Sequence, residues 1–388
     1  MNIGILIARI GKEDGVSLET EKWIEVLKSM GHEIYILSGK YEELLVNKKH
    51  KSLCKEFYLL SKDSLQEQRK AFFESDRDSF KIIRHVEEKS EIVSDKIINW
   101  IKKKKINILI SENASALPFN LSMTFGVKKA VERTGIKTIT HDHDFYWERG
   151  NRYVSFHNKI NEIVKNCIPL RLSTVTNVVI NSEMKKILKE KHAIFDAEII
   201  PNVMNFDKQI KCSEERRKKF FNFFGFTKED IILLQPTRIV RRKGIENAIE
   251  LVYRLHDKRV KLIITGNNKD EKVGDEAYYE SLISLVKQLG LSKQVIFVGK
   301  HMNKFSLEDF YACSHACTYF SRYEGFGNAF VEAVLAKKPI FVNNYNPVFW
   351  PDIGSKGFKL VMIENNNLTK KAINEIKQVI YDKELSEE

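Results

Sequence analysis

The 388-residue sequence has no run of about 18 consecutive apolar residues, so no segment is expected to cross a membrane as a helix. Its first residues, MNIGILIARIGKEDG, are apolar but lack a basic n-region and a small-residue cleavage site, and read as a first strand instead of a signal peptide. Cysteine is sparse. Cys54, Cys167, Cys212, Cys313 and Cys317 are odd in number and irregularly spaced, which argues for reduced thiols in a cytoplasm rather than a disulfide framework. Cys313-Ser-His315-Ala-Cys317 lacks a second ligand pair and sits on an apolar helix-to-strand passage, so no metal is expected there. There is no zinc finger and no RNA-binding signature with interleaved aromatics, and nucleic acid is not an expected partner.

What is present is ordinary globular chemistry with a basic bias. Hydrophobic residues make up 43% and charged residues 30%, and the length allows two sizeable cores. The net charge of +12 favours anionic partners: small substrates or a membrane surface. Many lysines, such as Lys102 to Lys105 and Lys185, Lys186, Lys189 and Lys191, read as solvated helix faces.

Strand and helix patterns alternate along the chain. Ile3 to Ile7 is a near-continuous apolar strand, Ser17 or Leu18 to Met30 a helix closed by Gly31, and His32 to Leu37 a second strand: a βαβ unit that starts a parallel sheet. Ser64 to Glu74 and Ile82 to Lys105 are helical and carry no evident chemistry. Ile106 to Ile110 is a strand followed by Ser111 and Glu112. Phe119 to Gly135 is helical, and strand Lys137 to Thr140 runs straight into HDHDFYWER. Val178 to Asn181 and Glu198 to Ile200 continue the strand series. After a boundary near Val203 to Gln209 the rhythm resumes. Strands are expected at Ile231 to Gln235, Lys261 to Thr265, Val295 to Val298, Ala316 to Phe320 and from Ile340. Helices are expected at Gly244 to His256, Tyr278 to Leu289, Leu307 to Cys313, Asn328 to Lys337 and Thr369 to Tyr381. The fold class is α/β, with domains at 1–203 and 204–388.

The stretch Ser321 to Pro339 carries the most chemistry. Gly325 and Gly327 leave backbone N–H groups uncrowded at a helix start, where dipole and amides favour an anion. Glu324 and Glu332 flank this cradle. Gly-rich turns are common and two such glutamates are usually solvated, but carboxylates beside a phosphate cradle suit a ligand with phosphates and vicinal hydroxyls, as in a nucleotide sugar. Upstream, PTRIVRRKG places Arg238 and Lys243 just after a strand, with Arg241 and Arg242 read as an ordinary basic loop.

Glu324-Gly-Phe-Gly-x4-Glu332-Ala resembles the Glu-x7-Glu signature of retaining glycosyltransferases, above all family 4. The resemblance implies the GT-B fold: two facing Rossmann-like domains with a cleft, the first on the acceptor side and the second binding the donor. By that resemblance Glu324 meets the donor sugar hydroxyls, Gly325, Phe326, Gly327 and Asn328 supply amides, and Glu332 holds the ribose. Arg238-x4-Lys243-Gly resembles the family's cationic pair for the donor diphosphate. Gly15 takes the place of the loop glycine near the diphosphate or acceptor, and Gly266 joins the donor site. The family's strand-end histidine corresponds to His141, with His143 as the alternative. Asp142 and Asp144 are then possible acceptor contacts, and Pro201-Asn202 resembles the family's exit from its first domain.

Arg149 and Arg152 suit an acidic acceptor, or equally pair with nearby carboxylates. The expected activity is retaining, metal-independent hexose transfer from a UDP- or GDP-linked sugar to a small anionic acceptor such as a sugar phosphate or sugar acid. No cofactor is expected beyond that co-substrate. The rivals are a GT-B nucleotide-sugar epimerase, a transferase acting on a lipid headgroup at the membrane surface, and a non-catalytic scaffold. Two departures stand out: the family's terminal crossover helix is not evident, and Lys337-Lys338 replaces a small residue before Pro339.

Overall fold

The computed structural model describes residues 1–11, 15–42, 47–75, 79–205, 210–266, 276–299, 304–345 and 347–382. The chain divides into two compact units, Met1–Asn202 and Val203–Glu388.

The first unit is built on a parallel sheet of seven strands: β1 (Asn2–Ile7), β2 (Glu33–Ser38), β3 (Lys51–Leu53), β4 (Ile108–Glu112), β5 (Lys137–Asp142), β6 (Val175–Val179) and β7 (Glu198–Ile199). Their order is β3-β2-β1-β4-β5-β6-β7. The apolar run of β1 is buried on both faces because helices cover both sides of a parallel sheet. Two glycines let those layers close up. A Cβ on Gly4 would meet Trp100 at 2.6 Å, and one on Gly126 would meet Val93 at 2.4 Å, where helix Leu121–Thr134 lies on helix Ser79–Lys104.

The second unit carries β8 (Ile231–Gln235), β9 (Val260–Ile264), β10 (Val295–Phe297), β11 (Ala316–Tyr319), β12 (Ile340–Asn343) and β13 (Val361–Ile363) in the order β10-β9-β8-β11-β12-β13. Every strand pair is parallel here as well. Helix Glu214–Phe224 is seated by a phenylalanine cluster, with Phe220 centred 5.0 Å from Phe305 and 5.3 Å from Phe310, and by Arg216 paired to Asp309 at 2.6 Å.

Both sheets are the Rossmann-like α/β architecture expected, with differences at the edges. The short strands β3 and β13 and the helices Glu214–Phe224, Asn158–Cys167 and Ser182–His192 were not delimited by periodicity. Asn181, read as the end of a strand, instead caps helix Ser182–His192 by accepting from the Met184 N–H at 2.8 Å. Strand β5 runs on through Asp142, so His141 lies within the strand and not just after it.

Candidate active site

In the second unit the chemistry gathers at the carboxyl ends of neighbouring strands β8 and β11, where open parallel sheets present ligand sites. Arg238 is exposed on the loop leaving β8, and a single 3-10 turn, Arg241–Lys243, follows. Gly244 ends that turn with φ of 59°, and a Cβ there would stand 2.2 Å from the Phe320 carbonyl oxygen. Only glycine brings the two loops this close. As a result Lys243 is buried with its ammonium paired to Glu324 Oε1, while Arg242 Nη1 donates to Glu324 Oε2 at 2.8 Å and to the Tyr323 carbonyl at 2.9 Å.

Electrostatics follow from that arrangement. Burial lowers the Lys243 ammonium to about 8, with Arg242 and Arg238 adding to the fall and Glu324 resisting it. Burial disfavours the Glu324 carboxylate, but the Lys243 and Arg242 charges overcome this and hold it well below the usual range.

Gly327 precedes helix Asn328–Leu335 with φ of 119°, and a Cβ there would fall 2.2 Å from the Tyr345 hydroxyl oxygen. That hydroxyl donates to the Phe326 carbonyl at 2.9 Å and fixes the loop. The first N–H groups of the helix therefore begin from a bare backbone turn with no side-chain cap. Within the helix, Glu332 Oε2 accepts from the buried Tyr311 hydroxyl at 2.7 Å.

In the first unit, β4 and β5 are in register so that Glu112 lies opposite His141. Glu112 Oε2 is 3.0 Å from His141 Nδ1 and 3.8 Å from His143 Nε2. The Trp23 indole stacks on the His141 ring with centroids 4.3 Å apart. Burial works against the charged form of each partner. Even so, the carboxylate raises His141 above the ordinary imidazole range, and the imidazoles hold Glu112 below the usual carboxylate range. Burial pushes the Asp142 carboxyl up to about 7. The ligand atoms of Glu112, His141 and His143 lie within 4.8 Å of one another, a donor set that a divalent cation accepts.

Residues 216–388 match the family described as glycosyl transferases group 1. Over 98% of its length the chain is 30% identical to the mannosylglucosylglycerate synthase of Petrotoga mobilis, covering 94% of that protein. The chain belongs to the group 1 glycosyltransferases. The synthase of the same name from Thermotoga maritima is 30% identical over 100% of this chain and 93% of its own. Among solved structures, the sucrose-phosphate synthase of Thermosynechococcus elongatus superposes with a TM-score of 0.69 at 14% identity, covering 100% of this chain and 91% of that one.

Within this glycosyltransferase, Arg238, Lys243, Glu324, Gly325, Phe326, Gly327, Asn328 and Glu332 lie on the loops and helix that follow β8 and β11. Arg242 was misread. It is no solvated loop residue but the second cation on Glu324, and only the folded loop shows it. Gly266 has a packing reason: a Cβ there would meet the Thr237 carbonyl oxygen at 2.3 Å, against the loop that carries Arg238. Gly15 is the exposed first residue of helix Gly15–Ser29, while Lys12 to Asp14 of the same loop lie outside the described residues.

The histidine expected to face a ligand is more enclosed than anticipated, since the His141 side chain has 0% exposure beneath Trp23. The His143 side chain is 8% exposed, and the residue's backbone N–H donates to Asn113 Oδ1 at 3.0 Å. Asp144, proposed as an acceptor contact, is paired with Arg149, and Asn113 donates to it at 3.2 Å. The Arg152 guanidinium lies 5.7 Å from the Phe73 ring centre. Both arginines are exposed. Glu112 and Trp23 had no signal of their own: Glu112 stands 29 residues from His141 and meets it only through strand register.

Proposed function

We propose that this glycosyltransferase is a retaining enzyme that moves a hexose from a UDP- or GDP-linked sugar to a small anionic acceptor in the cytoplasm. The observation that carries this reading is the Lys243–Glu324–Arg242 cluster, its lysine and glutamate buried, beside the Gly327 turn, with Arg238 on the same loop. A nucleoside diphosphate gathers negative charge as the glycosidic bond breaks. Cations already fixed at that position stabilise the transition state more than the ground state. Arg238 and Lys243 take the diphosphate, amides of Gly325 to Asn328 meet sugar and phosphate oxygens, Glu324 accepts from sugar hydroxyls, and Glu332 accepts from the ribose. The departing diphosphate takes the acceptor's proton on the same face, so the anomeric configuration is kept.

Support for an anionic acceptor comes from two sides. The products named for the two relatives contain glycerate, a carboxylate. In the first unit Lys40, Lys48, Lys51 and Lys55 line one concavity next to the end of β2. Incubation with UDP- and GDP-linked glucose and mannose plus glycerate, glucosylglycerate or hexose phosphates should give an α-glycoside by mass spectrometry and proton NMR. An inverted product would overturn retention, and epimerised donor without any glycoside would favour an epimerase.

The cations make a metal at the diphosphate unnecessary, so EDTA is expected to leave the initial rate unchanged. Loss of activity restored by manganese or magnesium would sink this point and recast Glu112, His141 and His143 as ligands.

Arg149 and Arg152 are exposed on the turn after β5 and remain candidates for the acceptor's charge. Changing both to Gln is expected to raise the acceptor KM while the donor KM stays put. An unmoved acceptor KM would leave them with structural contacts such as those to Asp144, Phe73 and Tyr153.

A further inference from the structure

Glu112 has no part in the chemistry described so far, yet its placement is expensive. Its side chain and that of His141 are both 0% exposed. A carboxylate taken so completely out of water is retained only where partners compensate it. The partners here are the two imidazoles, 3.0 Å and 3.8 Å from the same oxygen. His141 Nδ1 at hydrogen-bond distance from a carboxylate must carry a proton, which leaves Nε2 as the nitrogen whose state can vary. That Nε2 is itself buried and meets no hydrogen-bond partner among the described residues. Trp23, from helix Gly15–Ser29, lies against the ring at an interplanar angle of 27°, which opposes rotation of the imidazole. Orientation and tautomer are thus both set from outside the histidine.

We infer that Glu112 is a positioning residue: it fixes His141 in the Nδ1–H tautomer and keeps Nε2 as the ring's acceptor nitrogen. The inference rests on the reading of His141 as part of the transfer site. The same carboxylate is 3.8 Å from His143, so it constrains the neighbouring imidazole too. A neutral residue of the same shape would keep a hydrogen-bond acceptor but not the charge that keeps Nδ1 protonated.

Two measurements test it. In enzyme labelled with [15N]histidine, the His141 resonances, assigned by their loss in His141→Gln, should show a protonated Nδ1. An unprotonated Nδ1 overturns the inference directly, without any variant of Glu112. In kinetics, Glu112→Ala should lower kcat about 10- to 100-fold, the scale found when the carboxylate partner of a metal-bound histidine is removed. Its donor KM should not change, and Glu112→Gln should lie between it and wild type. If Glu112→Ala fails to fold by circular dichroism, Glu112→Gln alone should still lose turnover at unchanged donor KM. Wild-type kcat in a folded Glu112 variant, alongside an inactive His141→Ala, would defeat the inference and spare the site. Full activity in His141→Ala would instead defeat the reading beneath it.

Discussion

Lys243→Ala and Arg238→Ala are each expected to cut turnover by about 30- to 1,000-fold, equivalent to roughly 2–4 kcal/mol of lost transition-state stabilisation. The effect should appear in kcat at saturating donor and not in KM alone, because leaving-group charge is greatest as the bond breaks. The two variants differ in a useful way. Arg238 is exposed, so its removal disturbs the apo protein less than removal of a buried side chain. Lys243 is buried against Glu324, and its loss removes one of the two cations paired with that carboxylate, leaving Arg242. Part of the Lys243→Ala cost should therefore appear as lower thermal stability, more than in Arg238→Ala. Near-native turnover in both would place the diphosphate elsewhere.

A basic limb in kcat/KM for the donor is expected near pH 8, where the buried Lys243 ammonium loses its proton. The sign is set by burial. The free enzyme's ammonium is lowered from the ordinary lysine value, so raising the pH through about 8 removes the charge the diphosphate needs. Above the limb, kcat/KM should fall tenfold per pH unit. With donor bound, the diphosphate's negative charge favours the ammonium, so the limb in kcat should lie at higher pH. Lys243→Arg should move the limb out of the accessible range, since guanidinium stays protonated. Identical limbs in wild type and Lys243→Arg would assign the titration to another group. Folding stability rises with pH through both shifts, in different pH windows. For Lys243 alone, folding stability rises with pH from about 8 towards the ordinary lysine value, because the unfolded chain holds the proton there. Glu324 is depressed, so its contribution is present above the ordinary carboxylate range and fades on acidification below it.

Sequence periodicity captured the parts of this fold that depend on long apolar runs. Strands such as Ile231–Gln235 and helix Leu307–Cys313 fall where the pattern puts them, because a strand buried on both faces writes itself as consecutive aliphatics. Three-residue strands such as β3 and β13 are held by pairing with a longer neighbour, β2 or β12, and leave no periodic trace. Legibility of the site divides in the same way. Glu324, Gly327 and Lys243 stand in short motifs whose spacing is local. Arg242 looks like any residue in a basic run until Gly244 brings its loop against the strand end at Phe320. The Glu112–His141 contact arises from the register of β4 on β5, and nothing near either residue announces the other.

The stacking of Trp23 on His141 also turns the first unit into its own optical sensor. An imidazolium in contact with an indole quenches its emission by electron transfer, which acts only over a few ångströms, whereas a neutral imidazole quenches weakly. The sequence has four tryptophans: Trp23, Trp100 and Trp147 lie in Met1–Asn202, and Trp350 in Val203–Glu388. A ligand that draws the proton from His141, or slides the ring from under the indole, will brighten Trp23. Subtracting the spectrum of a Trp23→Phe variant isolates that signal, so any ligand that reaches His141 can be followed in real time without a labelled sugar.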